Sequence, residues 1–167
     1  MAAREKYGDN IFVGAFEEMP ERADFFDVIT FQDVLDHFID PLEALKKAMR
    51  LLKPGGIVLI KVHDFSCLYA RFAGSRFYAV IPPYHLFYFT RRALRRLVEI
   101  AGFEMVSARH IGNLLQIKTV FYRLSRNDRK SWSYRIFRLL EGTSIGRAKF
   151  VKNLHDIITV AAKKPNP

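Results

Sequence analysis

Six side chains able to move protons or bind metal fall in three short stretches: Asp33, Asp36 and His37, then His63 and Asp64, then His85. Carboxylates and imidazoles act as bases, orient substrates or ligate metals according to their surroundings. His85 follows Pro82-Pro83-Tyr84 in an aromatic segment and is the first candidate for a general base toward an oxygen or nitrogen nucleophile. The competing reading is a structural histidine bonded to a loop carbonyl. His37 reads either as a loop-fixing residue, with Asp36 or a backbone group as partner, or as a second ligand- or substrate-side imidazole. His63-Asp64 supplies two metal-ligand types, but no third follows at a recognisable spacing, so no metal site is expected. Asp33 and Asp36 have the alternative of merely capping a loop or short helix. His110 and His155 read as structural.

The surrounding pattern decides where these groups lie. Val28, Ile29 and Phe31 form a short apolar run with the character of a strand buried on both faces. A helix follows. Asp40 suits its N-cap, Pro41 its first position, and Glu43 completes a capping box. Leu42, Leu45, Met49 and Leu52 recur at helical spacing, with Lys46, Lys47 and Arg50 facing away. Pro54-Gly55-Gly56 stops the helix, and Ile57 to Val62 is the next strand. In such a βαβ unit, ligands bind beyond the carboxyl ends of the strands. Asp33, Asp36 and His37 follow the first such end, and His63 and Asp64 the second.

The 167 residues suit one domain with a sizeable core, half of them being apolar. The single cysteine, Cys67, excludes an internal disulfide framework and reads as a buried, inert thiol. No apolar run is long enough to cross a bilayer, and the N-terminus lacks a secretory pattern, so a cytoplasmic protein is expected, with peripheral membrane contact in view. The net charge of +10 is concentrated: between Lys118 and Lys152, ten Lys or Arg residues face only Asp128 and Glu141. That segment interleaves cations with Phe121, Tyr122, Trp132, Tyr134 and Phe137. It suits an anionic membrane surface. RNA is the less favoured partner, and a solvated helical cover is the structural alternative.

Along the rest of the chain, residues 1–8 read as the last turn of a helix and Ile11-Phe12-Val13 as a short strand. Residues 65–89 form an aromatic excursion broken by Pro82-Pro83, either a lid over an apolar pocket or rings that only pack on the domain. Phe65, Tyr84 and Tyr88 are its candidate pocket residues. Thr90 caps a helix presenting Leu94, Leu97, Val98 and Ala101, with Arg91, Arg92, Arg95 and Arg96 on its solvated face. Phe103 to Ile111 reads as a strand. Asn113 is expected to cap a helix presenting Leu114, Ile117, Phe121 and Leu124. A second helix is expected near Ser133 to Glu141, and Ile157 to Ala162 is the last strand.

These pieces resemble a class I S-adenosylmethionine-dependent methyltransferase, specifically the bacterial group similar to ubiquinone-biosynthesis methyltransferases. The resemblance rests on Phe26-Asp27-Val28-Ile29, Asp33-Val34-Leu35-Asp36-His37, Asp40-Pro41, Leu51-Leu52-Lys53-Pro54-Gly55-Gly56, His85-Leu86-Phe87-Tyr88-Phe89 and Ala101-Gly102-Phe103, in that order. It covers most of residues 11–111 and 154–164, corresponding to the C-terminal two-thirds of such a domain.

The resemblance implies an α/β fold: a truncated Rossmann-like sheet, mostly parallel, with helices on both faces. Its last strand is antiparallel and inserted between two others. A helical basic insertion at residues 113–153 is added to this single domain, residues 1–167. S-adenosylmethionine is the implied cofactor, with Ala15, Phe16 and Glu17 by its adenine and Phe31, Gln32 and Asp33 at its methionine end. His37 and His85 would stand on the acceptor side, and the acceptor would be small or lipid-like. The family's glycine-rich turn and ribose-binding acid have no counterpart in these residues, so the isolated chain is expected to be weak or inactive. A non-catalytic interaction module or partner subunit is the alternative. The strand at residues 11–13 is expected to re-pair beside the next one, or else a second copy or partner chain to cover that edge.

Overall fold

The structure is a computed structural model describing residues 8, 11–125 and 128–167. Apart from Gly8, the helical turn expected at residues 1–8 lies outside the described residues. The main sheet has four strands: β1 (Phe26–Gln32), β2 (Leu52–His63), β3 (Glu104–His110) and a final strand (Ile157–Lys163). Between the third and the last lie two short strands, β4 (Asn113–Gln116) and β5 (Lys149–Lys152), so the last is β6. The spatial order is β1-β2-β6-β3. β1 and β2 are parallel, with Val28 opposite Ile57 and Gln32 opposite Lys61. β6 runs antiparallel to both its neighbours, β2 and β3. The inserted antiparallel last strand is therefore as expected.

Helix α1 (Pro41–Leu51) joins β1 to β2. Asp40 caps it, its carboxylate accepting from the Glu43 N–H at 2.9 Å. The reciprocal half of the expected capping box is replaced: the Glu43 carboxylate pairs with Arg50 instead. Leu45, Ala48, Leu51 and Leu52 are fully buried against Ile29, Phe31, Val58, Ile60 and Val62. Leu94 and Val98 enter the same core from helix α3 (Arg91–Ile100), which Thr90 caps. Helix α2 (Leu68–Ala73) lies in the aromatic excursion. Each buried Leu or Val side chain in this layer contributes about 1.5–3 kcal/mol relative to exposure.

Three expectations about this framework are corrected. Residues 11–13 form no strand and do not re-pair beside β1; Phe12 and Val13 are exposed. β1 is not buried on both faces, because α1 and α3 lie on one side and Val28, Thr30 and Gln32 are exposed on the other. Finally, Pro54-Gly55-Gly56 does not separate helix from strand. The chain turns extended at Leu52, and the proline and glycines form an irregular start of β2, where the pairing with β1 shifts register.

Gly56 is required there. A Cβ on it would lie 2.8 Å from the Lys53 carbonyl oxygen and 3.1 Å from that of Asp27, both backbone atoms. Gly56→Ala should cost about 1–3 kcal/mol through the shift it forces. Urea denaturation measures this, and wild-type stability in the variant would contradict the packing.

The basic segment forms α4 (Ile117–Ser125), α5 (Trp132–Leu140) and α6 (Ser144–Arg147). No helix starts at Asn113 among the described residues. This residue opens β4, which pairs antiparallel with β5 to close this helical unit at its base. The partner strand lies far along the sequence, so the local pattern gave no sign of the pairing.

Candidate functional site

β1 and β2 deliver the chemistry-bearing residues to one end of the sheet. After Gln32, Asp33 takes φ 53° and donates its N–H to the Lys61 carbonyl at 2.9 Å. Its carboxylate pairs with Lys61 Nζ at 2.7 Å. The 3-10 turn Leu35–His37 then drives Leu35 into the core and buries Asp36 behind it. The Asp36 carbonyl accepts N–H groups from Leu86 and Phe87 at 2.9 and 3.2 Å, which pins the aromatic excursion to this turn. His85 is thereby held next to Asp36.

The result is a cluster of Asp36, His37, His63 and His85. His85 Nδ1 is 3.6 Å from Asp36 Oδ2, and His37 Nε2 is 3.8 Å from Asp36 Oδ1. The His37 and His85 rings meet edge to face at 4.8 Å, while His63 stacks on His85 at 5.7 Å. Burial pushes the His63 imidazole below its ordinary value, against the attraction of Asp36 and Asp33, so the ring favours its neutral form. His63 was read as half of an isolated pair with Asp64. Its cluster partners arrive from other loops, and Asp64 turns elsewhere, accepting from Ser66 and bonding His110 Nε2 at 2.8 Å. Burial would raise the Asp64 carboxyl, but these hydrogen bonds hold it below the usual range.

One cavity reaches the cluster at His63, and a second shares Tyr78, Leu115 and Arg123 with the first. The first, of about 420 Å³, is lined by Asp33, Lys61, His63, Tyr78, Leu115 and Arg123, among others. The second, of about 860 Å³, runs between the aromatic excursion and the basic unit, with Tyr69, Phe77, Tyr78, Val120, Arg123 and Lys152 in its wall. Their shared corner is held by Asp156, which accepts from Tyr78 Oη at 2.6 Å and Lys152 Nζ at 2.5 Å. Lys152 also lies 4.8 Å over the Tyr78 ring. Burial and then the Asp156 carboxylate push the Tyr78 hydroxyl up, so it stays a donor. Burial would raise Asp156 itself, but Lys152 and Tyr78 hold it low.

The remaining candidate residues divide. Phe65 and Tyr88 pack on each other at 4.8 Å, while Tyr84 is 70% exposed. The described cavities are walled instead by Tyr69, Phe77 and Tyr78, whose roles depend on the basic unit closing over them. Phe31 is buried, with Phe16 and Phe38 edge-on at 5.4 and 5.7 Å, so its ring belongs to the core. Gln32, Asp33, Ala15 and Glu17 are exposed. Lys47 does not face solvent as expected. Its ammonium is buried and donates to the carbonyls of Glu17 and Met19 at 2.7 and 2.5 Å, fixing the turn Phe16–Glu18 against α1. A charged head with two carbonyl acceptors can be buried, and the sequence period alone did not reveal those acceptors.

Residues 3–108 match the family described as "Methyltransferase domain". Over 64 residues the chain is 41% identical to the ubiquinone/menaquinone biosynthesis C-methyltransferase UbiE of Vibrio campbellii, and equally to that of Vibrio parahaemolyticus. Each match takes in 34% of this chain and 25% of the relative, so the chain aligns with about a quarter of those proteins' length. Among solved structures, it is similar to a SAM-dependent methyltransferase from Thermotoga maritima (18% identity, TM-score 0.55, covering 90% of this chain and 62% of that one). It is also similar to the YcgJ protein from Bacillus subtilis (18%, TM-score 0.54, 99% and 76%) and to the cyclase SpnF (17%, TM-score 0.56, 99% and 60%). At these identities the structural likeness establishes the fold, and a fold shared with a cyclase does not fix a reaction.

Proposed function

Because the chain belongs to the methyltransferase-domain family, we propose that its site serves methyl transfer from S-adenosylmethionine to a small or lipid-like acceptor. The observation that carries this reading is the convergence of Asp36, His37, His63 and His85 at the carboxyl ends of β1 and β2, beside a cavity of about 420 Å³. S-adenosylmethionine, when bound, would supply an activated methyl group for displacement by the acceptor, and a protonated acceptor would lose its proton to a base of this chain. His85 is the base, with Asp36 Oδ2 3.6 Å from its Nδ1. His37 holds the acceptor from the rim. The exposed carboxylate of Asp33 and the turn at Ala15, Phe16 and Glu17 are the cofactor-side surfaces, the latter held in place by Lys47.

The test is transfer of a labelled methyl group from S-adenosylmethionine to demethylated quinol precursors and to small phenols or amines. Transfer above a boiled-protein control supports the reading. Failure to bind S-adenosylmethionine at millimolar concentration by the folded chain favours the non-catalytic alternative.

No helix among the described residues is long and apolar enough to cross a membrane. The basic unit nevertheless carries Trp132, Leu139, Ile145 and Val151 exposed among its cations. We assign this surface to anionic lipid headgroups, which would present a lipid-like acceptor to the large cavity between α4 and the aromatic excursion. Sedimentation with vesicles containing about 30% phosphatidylglycerol should retain the protein at low salt and release it as screening rises. Equal binding to neutral vesicles would contradict the assignment.

A further inference from the structure

We propose that Asp36, His63 and His85 form a binding site for a divalent transition-metal ion of the zinc type. One carboxylate oxygen and one ring nitrogen from each histidine all lie within 4.8 Å of one another. Asp36 Oδ1 and the Nδ1 atoms of His63 and His85 are each buried and make no hydrogen bond among the described residues. A buried polar atom left unsatisfied costs about 1–3 kcal/mol, so three of them in one side-chain cluster call for a partner. A direct contact between His85 and Asp36 does not supply it. At 3.6 Å that pair is beyond a good hydrogen bond, and closing it would still leave His63 unsatisfied.

A cation between the three side chains would take one ligand atom from each. Two imidazoles and one carboxylate suit zinc, cobalt, nickel or ferrous iron, whereas magnesium and calcium favour all-oxygen sites. Ligands at roughly 2.0–2.1 Å from a tetrahedral ion stand about 3.3 Å apart, so the cluster must contract by about an ångström or more. Rotation of the histidine side chains provides this, while the Asp36 backbone stays fixed by Leu86 and Phe87. Three protein ligands leave a fourth position for water or an acceptor oxygen, the pattern of reactive rather than purely structural zinc. Where this inference rests on the methyl-transfer reading, the ion would activate an acceptor hydroxyl as a Lewis acid, and His85 would serve as ligand instead of base. Metal binding itself stands apart from that reading.

The test uses chelator-treated protein, titrated with Co²⁺ under visible absorption and with Zn²⁺ by calorimetry, with Mg²⁺ as the oxygen-site control. One Zn²⁺ per chain and a Co²⁺ ligand-field band are expected, with no response to Mg²⁺. His63→Ala and Asp36→Asn, checked for folding by circular dichroism, should each weaken Zn²⁺ binding on the order of 100-fold, while His155→Ala leaves it unchanged. Absence of both signals from folded wild-type protein, or binding retained in both site variants, overturns the proposal. Metal binding without methyl transfer would reject the reaction and uphold the site.

Discussion

Replacing His85 with alanine is expected to lower methyl-transfer turnover by about 100- to 10,000-fold while leaving S-adenosylmethionine affinity unchanged. The direction follows from position. His85 lies in the aromatic excursion against Asp36, whereas Lys47 fixes the separate turn at Phe16–Glu18. Its imidazole is mostly buried, next to two other histidine rings, so water cannot readily take over the proton. His85→Gln keeps a hydrogen-bonding group of similar size but removes the basic nitrogen, and should lose nearly as much turnover. Single-turnover transfer separated from cofactor titration gives the distinction. A loss of cofactor binding with unchanged turnover on bound cofactor would move His85 to the donor side and sink the assignment.

Asp156→Ala is the second large effect, expected to destabilise the fold by about 3–5 kcal/mol. Removing this carboxylate strands the Lys152 ammonium, whose side chain is 16% exposed, and leaves the Tyr78 hydroxyl without its acceptor. It also releases two parts of the molecule from this carboxylate, β5 through Lys152 and the aromatic excursion through Tyr78, while the bond from the Asp64 N–H to the Asp156 main-chain carbonyl remains. Asp156→Asn keeps the shape and should cost less. The acid dependence has a defined sign. Because the folded-state carboxyl is held below its ordinary value, its contribution is present above the unfolded value of about 3.9 and is lost as pH falls through the lower folded value. Thermal melts of wild type and Asp156→Asn should therefore converge in strong acid. Parallel curves across the acid range would contradict the network.

The elements that carry local punctuation were legible in the sequence. Asp40 and Thr90 cap their helices as read, because an N-cap is a contact within three residues. The placement of Asp33, Asp36 and His63 at one end of the sheet followed from the βαβ pattern alone. What escaped depended on contacts between distant segments. Lys47 sits on the polar side of a helical period, yet is buried because two carbonyls from an upstream turn receive it. Residues 11–13 have a strand's composition, but in the described structure they gain no pairing partner. The cluster of Asp36, His63 and His85 has no spacing signature, since its members come from a 3-10 turn, the end of β2 and the aromatic excursion. Ser66 and His110 similarly decide that Asp64 is a structural carboxylate. Local grammar positioned the ends of the elements; loop closure and burial decided which side chains meet there.

The most direct test of the cofactor assignment is an NMR titration of the isotope-labelled chain with S-adenosylhomocysteine, followed residue by residue. Saturable shifts concentrated at residues 15–17 and 31–33, reached within the millimolar range, are the expected result. Their absence in folded protein, or saturable shifts confined to the basic unit, would contradict methyl transfer at this end of the sheet.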